Sequence, residues 1–292
     1  MRRFSRRTAP RNRLLTLALA LALCAASIAT PASGRWAVSA DGTVEDQQLE
    51  DQLSAFLSRQ DGIFGVAVIN LVDGRTVLIN SNTDFPTASM YKLLVMYRVF
   101  QLIEKGDLSP DNWVEIVDSD VAQDEPEGGL ASGDTPTIAE ALDAMITISS
   151  NAAASVLIRQ VGGMDRVEAA ARELGMNDTY QVNGELWSTP SDLAHFFLLL
   201  ANQSLVSRNA SVQMIGLLLR QTLNGRIPAL LPPEAAVAHK TGEMDDVWND
   251  GGIVYGTGGR YIIVLMSRGG TPEDEIQVEA EISEMVYDQY GK

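Results

Sequence analysis

The sequence predicts an α/β (α+β) fold, an antiparallel sheet flanked by helices with a second, all-helical lobe. Three observations predict it. Runs of strand character lie near both ends of the chain, and helical periodicities fill the middle. Strands brought together from the two ends can form one sheet, which leaves the helical block to pack as a lobe of its own. At 46% hydrophobic and 21% charged residues, the 292-residue chain can bury a sizeable core.

The chain opens with Arg2, Arg3, Arg6, Arg7, Arg11 and Arg13, then an uncharged stretch over 14–26, then small residues at Ser27, Ala29, Thr30, Ala32 and Ser33. That order is the one a secretory signal needs, with cleavage after Ala29 or Ala32. Residues 1–29 are read as the signal peptide, 30–44 as a flexible lead-in and 45–292 as the folded domain. Ser5-Arg6-Arg7 leaves open a twin-arginine route, although Ala9-Pro10 departs from that pattern. The apolar stretch is short for a bilayer span, so processing should leave no membrane anchor.

Loss of the signal removes six arginines and Cys24, the single cysteine. What remains has 16 Lys+Arg against 38 Asp+Glu, a net charge of −22. Such acidity argues against a nucleic-acid partner and favours an exported monomer, secreted or held in the cell envelope. With one cysteine and two histidines, His195 and His239, no zinc, iron–sulfur or cysteine-nucleophile chemistry is expected, and no cofactor.

Past the lead-in, residues 45–60 carry Leu49, Leu53, Phe56 and Leu57 on one helical face. Two β-rich runs, 64–70 and 76–80, meet at Asp73-Gly74, a hairpin signal. Residues 90–105 are apolar almost all round and should form a buried helix. Five helical segments follow at 137–148, 152–161, 165–174, 191–201 and 211–223. Strands return at 235–239, 251–255 and 261–267, the last two joined by a glycine-rich turn at 256–259. An acidic amphipathic helix, 272–290, ends the chain.

Three short motifs stand in order: Ser89-Met90-Tyr91-Lys92, Ser149-Ser150-Asn151 and Lys240-Thr241-Gly242. Serine is a poor nucleophile until a base takes its proton. Residues i and i+3 share a helix face, so the Lys92 amine can approach the Ser89 hydroxyl. Burial or a second cation, here Lys240, lowers a lysine's pKa enough for it to act as a base. Ser149 and Asn151, two apart in an extended loop, would point the same way, one to pass a proton and one to hold a substrate. Lys240 and Thr241 offer a cation and a hydroxyl to a substrate carboxylate. Gly242 leaves room for a ligand along the strand edge. Only four lysines occur in the chain, and two of them fall inside these motifs.

Together these segments resemble the class A β-lactamase family of penicillin-recognising serine hydrolases. Phe85-Pro86-Thr87-Ala88-Ser89-Met90-Tyr91-Lys92-Leu93 is similar to the family's nucleophile segment. Met145-Ile146-Thr147-Ile148-Ser149-Ser150-Asn151-Ala152-Ala153 is similar to its S-D-N segment, with Ser150 in place of Asp. Thr189-Pro190-Ser191-Asp192-Leu193-Ala194 resembles the helix start after its Ω loop. Arg226-Ile227-Pro228-Ala229-Leu230-Leu231-Pro232 and His239-Lys240-Thr241-Gly242 resemble the approach to its K-T-G strand. The resemblance covers roughly residues 45–290 and implies the β-lactamase/transpeptidase-like fold.

It also implies roles. Ser89 would be the nucleophile, Lys92 a general base, and Ser149 the relay to the leaving nitrogen. Asn151 would contact the substrate amide, and Lys240 and Thr241 its carboxylate. The backbone N–H groups of Ser89 and Glu243 would form the oxyanion hole. The segment between residues 175 and 190 is about a dozen residues shorter than the family's Ω loop and lacks its E-x-x-L-N motif. Glu185 is the nearest candidate deacylation base; otherwise it is a surface carboxylate beside a packed Trp187.

Three functions follow. The first is hydrolysis of β-lactams, which would place the protein in β-lactam catabolism and the antibiotic response. The second is a penicillin-binding D-alanyl-D-alanine peptidase or esterase that deacylates β-lactams slowly. The third is a non-catalytic exported binding domain. His195 is expected at the core edge, and His239 either lining the pocket or packed. Asp118, Asp120, Asp124 and Glu125 are expected in solvated loops.

Overall fold

The computed structural model describes residues 44–121 and 125–292. The signal-peptide reading and Asp124 fall outside them, as does all of the lead-in but Val44. The described residues begin with β1 (Val44–Glu45), α1 (Gln47–Leu57), β2 (Ile63–Asn70), β3 (Arg75–Ile79) and β4 (Phe85–Pro86). A 3₁₀ turn, Ala88–Tyr91, then runs into α2 (Lys92–Lys105). The middle holds α3 (Ile138–Thr147), α4 (Asn151–Val161), α5 (Met164–Glu173), β5 (Tyr180–Val182), β6 (Glu185–Ser188), α6 (Pro190–Ala201) and α7 (Arg208–Leu218). The chain closes with β7 (Ala236–Met244), β8 (Val247–Tyr255), β9 (Arg260–Arg268) and α8 (Pro272–Tyr290).

The main sheet has the order β1-β3-β2-β9-β8-β7, so strands from both ends of the chain do meet. Strand β2 pairs along its whole length with β9, and β7 with β8, all antiparallel. Alternation divides the core. Val66, Val68, Ile263 and Leu265 face α1 and α8, while Ala67, Ile262, Val264 and Met266 face the helical block. Helix α2 is the centre of that block, with Leu93–Met96 and Val99 fully buried. It is the all-round apolar helix that the sequence predicts.

Helix starts follow the chain chemistry. Asp46 caps α1 through Leu49 N–H. Thr137 and Glu140 form a reciprocal capping box on α3. Thr189 with Pro190 opens α6, and Thr271 with Pro272 opens α8.

The segment between Gly175 and Pro190 supplies β5 and β6, which turn at Asn183-Gly184, where both residues have positive φ, and join β4 in a small sheet of order β4-β6-β5. On the acidic helix α8, Glu275 and Glu279 are fully buried. Glu275 accepts from Gly270 N–H (2.6 Å) and Ser267 Oγ (2.8 Å), while Glu279 faces the Arg226 guanidinium.

Candidate active site

The nucleophile segment leaves β4 and turns at once into α2. The turn is held from two sides. Thr87 donates both N–H and Oγ1 to the Leu186 carbonyl, each at 2.8 Å, which fastens it to β6. Buried Asn249 on β8 donates Nδ2 to the Pro86 carbonyl at 3.0 Å. Ala88, just before Ser89, has φ +43°, a left-handed backbone costing about 1–3 kcal/mol that surrounding bonds must hold. Ser89 is half-buried on the wall of a cavity of about 560 Å³.

The cavity brings Ser89, Ser149, Asn151, Thr241, Glu185 and Glu243 together. Its volume suits a small molecule. Lys92 and Lys240 lie fully buried behind this wall. Lys92 Nζ donates to Ser149 O (2.5 Å), Asn151 Oδ1 (2.7 Å) and Ser149 Oγ (3.1 Å). Lys240 Nζ donates to the same Ser149 Oγ at 3.0 Å and to Thr241 O at 2.7 Å. One hydroxyl thus sits between two amines that are 148 positions apart in the chain. Burial, and then the charge of Lys92, push the Lys240 pKa well below the ordinary lysine range; Asp250 and Glu243 act against that.

Ser149 and Asn151 do not lie in an extended loop. Ser149 has φ +61°, and Asn151 begins α4. The sharp turn between α3 and α4, rather than strand alternation, aims both at Lys92.

Gly242 does not line the cavity either. A Cβ there would stand 2.6 Å from the Thr87 carbonyl and 3.2 Å from Met90 N, so its bareness makes room for the nucleophile turn. Alternation along β7 sends His239 to the opposite face from Lys240. His239 is packed there, with Nδ1 2.9 Å from Asp250 Oδ1 and Nε2 3.1 Å from Asn224 Oδ1. His195 is at the core edge, its Nε2 2.9 Å from the Leu174 carbonyl.

Arg226, buried in the segment between α7 and β7, pairs with Glu243 and stands 3.6 Å from Glu279. Desolvation would lower its pKa, but the charges of Glu279, Glu243 and Asp250 hold it above the usual arginine value. Glu185 is exposed on β6 and lines the cavity.

Two acids expected in solvated loops are not there. Asp120 is buried, accepting from Val117 N–H and from Arg159 Nη2 (2.6 Å). Glu125 is half-buried against the start of α4. It accepts from Asn151 N (2.9 Å), Ala152 N (2.7 Å) and the Ser150 hydroxyl. The sequence carries no local signal for that contact. A helix start with unpaired N–H groups at 151–153 is the only hint.

Residues 48–290 match the family described as the beta-lactamase enzyme family. A beta-lactamase from Bacteroides uniformis is 26% identical over 82% of this chain and 90% of that protein. Beta-lactamase VEB-1 from Pseudomonas aeruginosa is 24% identical over 80% and 87%. Among solved structures, a class A beta-lactamase from Bacteroides cellulosilyticus superposes with a TM-score of 0.76 at 25% identity, over 83% of this chain and 96% of that one. The protein PBP-A shares the fold with a TM-score of 0.80 at 24% identity, over 85% and 97%. The β-lactamase/transpeptidase-like fold expected from the motifs is therefore the one observed, and the chain belongs to the class A β-lactamase family of serine hydrolases.

Proposed function

We propose that this enzyme opens β-lactam amides through an ester on Ser89. The observation that carries the reading is the Ser149 hydroxyl held by both Lys92 and Lys240 beside the cavity wall that bears Ser89. Lys92, once it has given up a proton, takes the Ser89 proton while Oγ bonds to the lactam carbonyl carbon. The backbone N–H groups of Ser89 and Glu243 receive the developing oxyanion. Ser149 hands a proton to the leaving nitrogen as the C–N bond breaks, and regains one from a lysine amine. Asn151 holds the substrate amide, and Lys240 and Thr241 its carboxylate. Glu185 then takes a proton from water as that water attacks the ester carbon; the C–Oγ bond breaks, Ser89 Oγ takes up a proton, and the ring-opened acid leaves.

The same reading makes residues 1–29 a cleaved signal peptide and 45–292 the catalytic domain of a secreted or cell-envelope monomer. Among the described residues no helix is long and apolar enough to cross a membrane.

Intact-mass spectrometry after mixing with benzylpenicillin tests the chemistry. The expected result is a transient adduct on Ser89, released over time, together with steady turnover of a chromogenic cephalosporin. Ser89→Ala should show no adduct while keeping its fold. A lasting adduct without turnover would favour a slow-releasing penicillin-binding peptidase instead. Labelling that survives in Ser89→Ala would remove Ser89 as nucleophile.

A further inference from the structure

Position 150 is Ser, where the family's S-D-N segment has a carboxylate. The carboxylate at this place comes from another segment. Glu125 Oε2 accepts the N–H groups of Asn151 (2.9 Å) and Ala152 (2.7 Å), and its Oε1 accepts the Ser150 hydroxyl. Ser150 Oγ in turn accepts Ala153 N–H at 3.1 Å, so three leading N–H groups of α4 are satisfied by one carboxylate and one hydroxyl. A negative charge at a helix start is favourable there.

Both neighbours of Ser150 are working residues. Ser149 supplies two of the oxygens that Lys92 Nζ reaches, and Asn151 supplies a third. Ser149 also holds a left-handed backbone, φ +61°, which something must fasten. Glu125 is itself held: a Cβ on Gly129 would come within 2.3 Å of its Oε1 and 2.7 Å of its Cγ. The turn at 125–129 therefore fixes the carboxylate from behind, and Pro126 of the same turn lines the cavity.

We propose that Glu125 is a positioning residue for acylation, a displaced substitute for the acid in the middle of the S-D-N segment. It holds Ser149 and Asn151 on either side of Ser150 so that Lys92 meets the three oxygens they present. The proposal rests on Ser89 being the nucleophile.

The test is the rate of benzylpenicillin acylation, read by intact mass over a range of concentrations in four variants. Glu125→Ala should slow the first-order acylation step by about 10- to 100-fold, the scale of a misplaced catalytic group, with the half-saturating concentration changed far less. Glu125→Gln keeps an oxygen for the two N–H groups and should stay within about threefold of wild type, as expected when geometry matters more than proton transfer. Glu125→Ala/Ser150→Asp, which returns the acid to α4 as its N-cap, should recover most of the lost rate. Gly129→Ala, which pushes the carboxylate aside, should resemble Glu125→Ala.

Wild-type rates in Glu125→Ala would overturn the proposal. So would a Glu125→Gln as slow as Glu125→Ala with no recovery in the double variant, because the acid would then act in the chemistry. If Glu125→Ala does not fold, the Gln and double variants still decide. A wild-type protein that takes no label would instead overturn the Ser89 reading and this inference with it.

Discussion

Lys240 reaches Ser149 Oγ with its amine at 3.0 Å while its own stem has no contact with water. The arrangement is costly by design. A lysine buried beside Lys92 loses hydration and meets a like charge, and both effects favour its neutral form. Charge on Lys240 is what an anionic substrate would need, so binding should weaken as pH rises through its depressed pKa. The kcat/KM profile for benzylpenicillin should therefore have an alkaline limb below the ordinary lysine range. Lys240→Arg stays charged and should lose that limb, at a lower overall rate. A limb that persists in Lys240→Arg would assign it to another group.

The same burial predicts a stability effect. The unfolded chain binds a proton on this lysine up to a higher pH than the folded chain does. Wild-type stability should thus rise with pH between the depressed pKa and the ordinary one. Lys240→Met should melt higher than wild type at neutral pH, by roughly 2–4 °C per kcal/mol relieved, with the gap narrowing as pH rises. Its kcat/KM should collapse. Calorimetry across pH reads the first effect, and a Lys240→Met that melts lower at every pH would contradict it.

Glu185 reaches the cavity because β6 is tied to the nucleophile segment through the Leu186 carbonyl and Thr87. If it is the base for the deacylating water, as proposed, it should be needed after the ester forms and not before. Glu185→Gln should acylate within about threefold of wild type and release the acyl group about 10²–10⁴-fold more slowly. Persistence of the penicilloyl mass adduct is the readout. Unchanged release would make this carboxylate a bystander.

Gly242 offers a test of how the nucleophile turn is seated. A methyl group at 242 would meet backbone, the Thr87 carbonyl at 2.6 Å, and backbone cannot swing away as a side chain can. Strand β7 cannot retreat, since Gly242 pairs with Asn249, whose side chain holds the Pro86 and Thr87 carbonyls. Gly242→Ala should cost about 1–3 kcal/mol and lower the Tm by several degrees, with acylation slowed as the turn shifts. Gly225→Ala meets nothing within 4 Å and should be near neutral. Equal melting temperatures for the two would refute the packing account.

What could be read from the sequence follows from how local each signal is. The periodicity of 272–290 is carried by its own residues, and the observed helix matches it residue for residue. Strand β7 runs through Lys240-Thr241-Gly242 to Met244, beyond the expected end at His239, because its polar residues are buried by the site rather than by apolar neighbours. Strands β5 and β6 are three and four residues long, too short for alternation to register, although Asn183-Gly184 is a hairpin dipeptide in its own right. The two amines and the serine between them were legible as spaced motifs. Glu125 was not, because its partners lie about 25 residues further on and only the fold joins them.

The remaining acid of the cleft is Glu243. Its side chain is 57% exposed at the cavity, directly after Lys240-Thr241-Gly242, yet it pairs with an Arg226 that is only 3% exposed. Arg226 already faces Glu279 and Asp250, so its charge is largely matched within the protein. On the proposed reading, a substrate carboxylate would draw on Lys240 and Thr241, with a carboxylate nearby opposing it. Removing that acid while keeping its shape should help an anion and leave a neutral molecule indifferent. Glu243→Gln should lower the KM for benzylpenicillin about threefold to tenfold with kcat little changed, the scale of one like-charge contact near a protein surface. The benzylpenicillin methyl ester, which lacks the charge, should show no such gain. The benefit should also shrink at high salt, because the interaction is screened by mobile ions. Equal gains for the acid and the ester would mean that Glu243 acts through shape, and its charge would have no part in choosing the substrate.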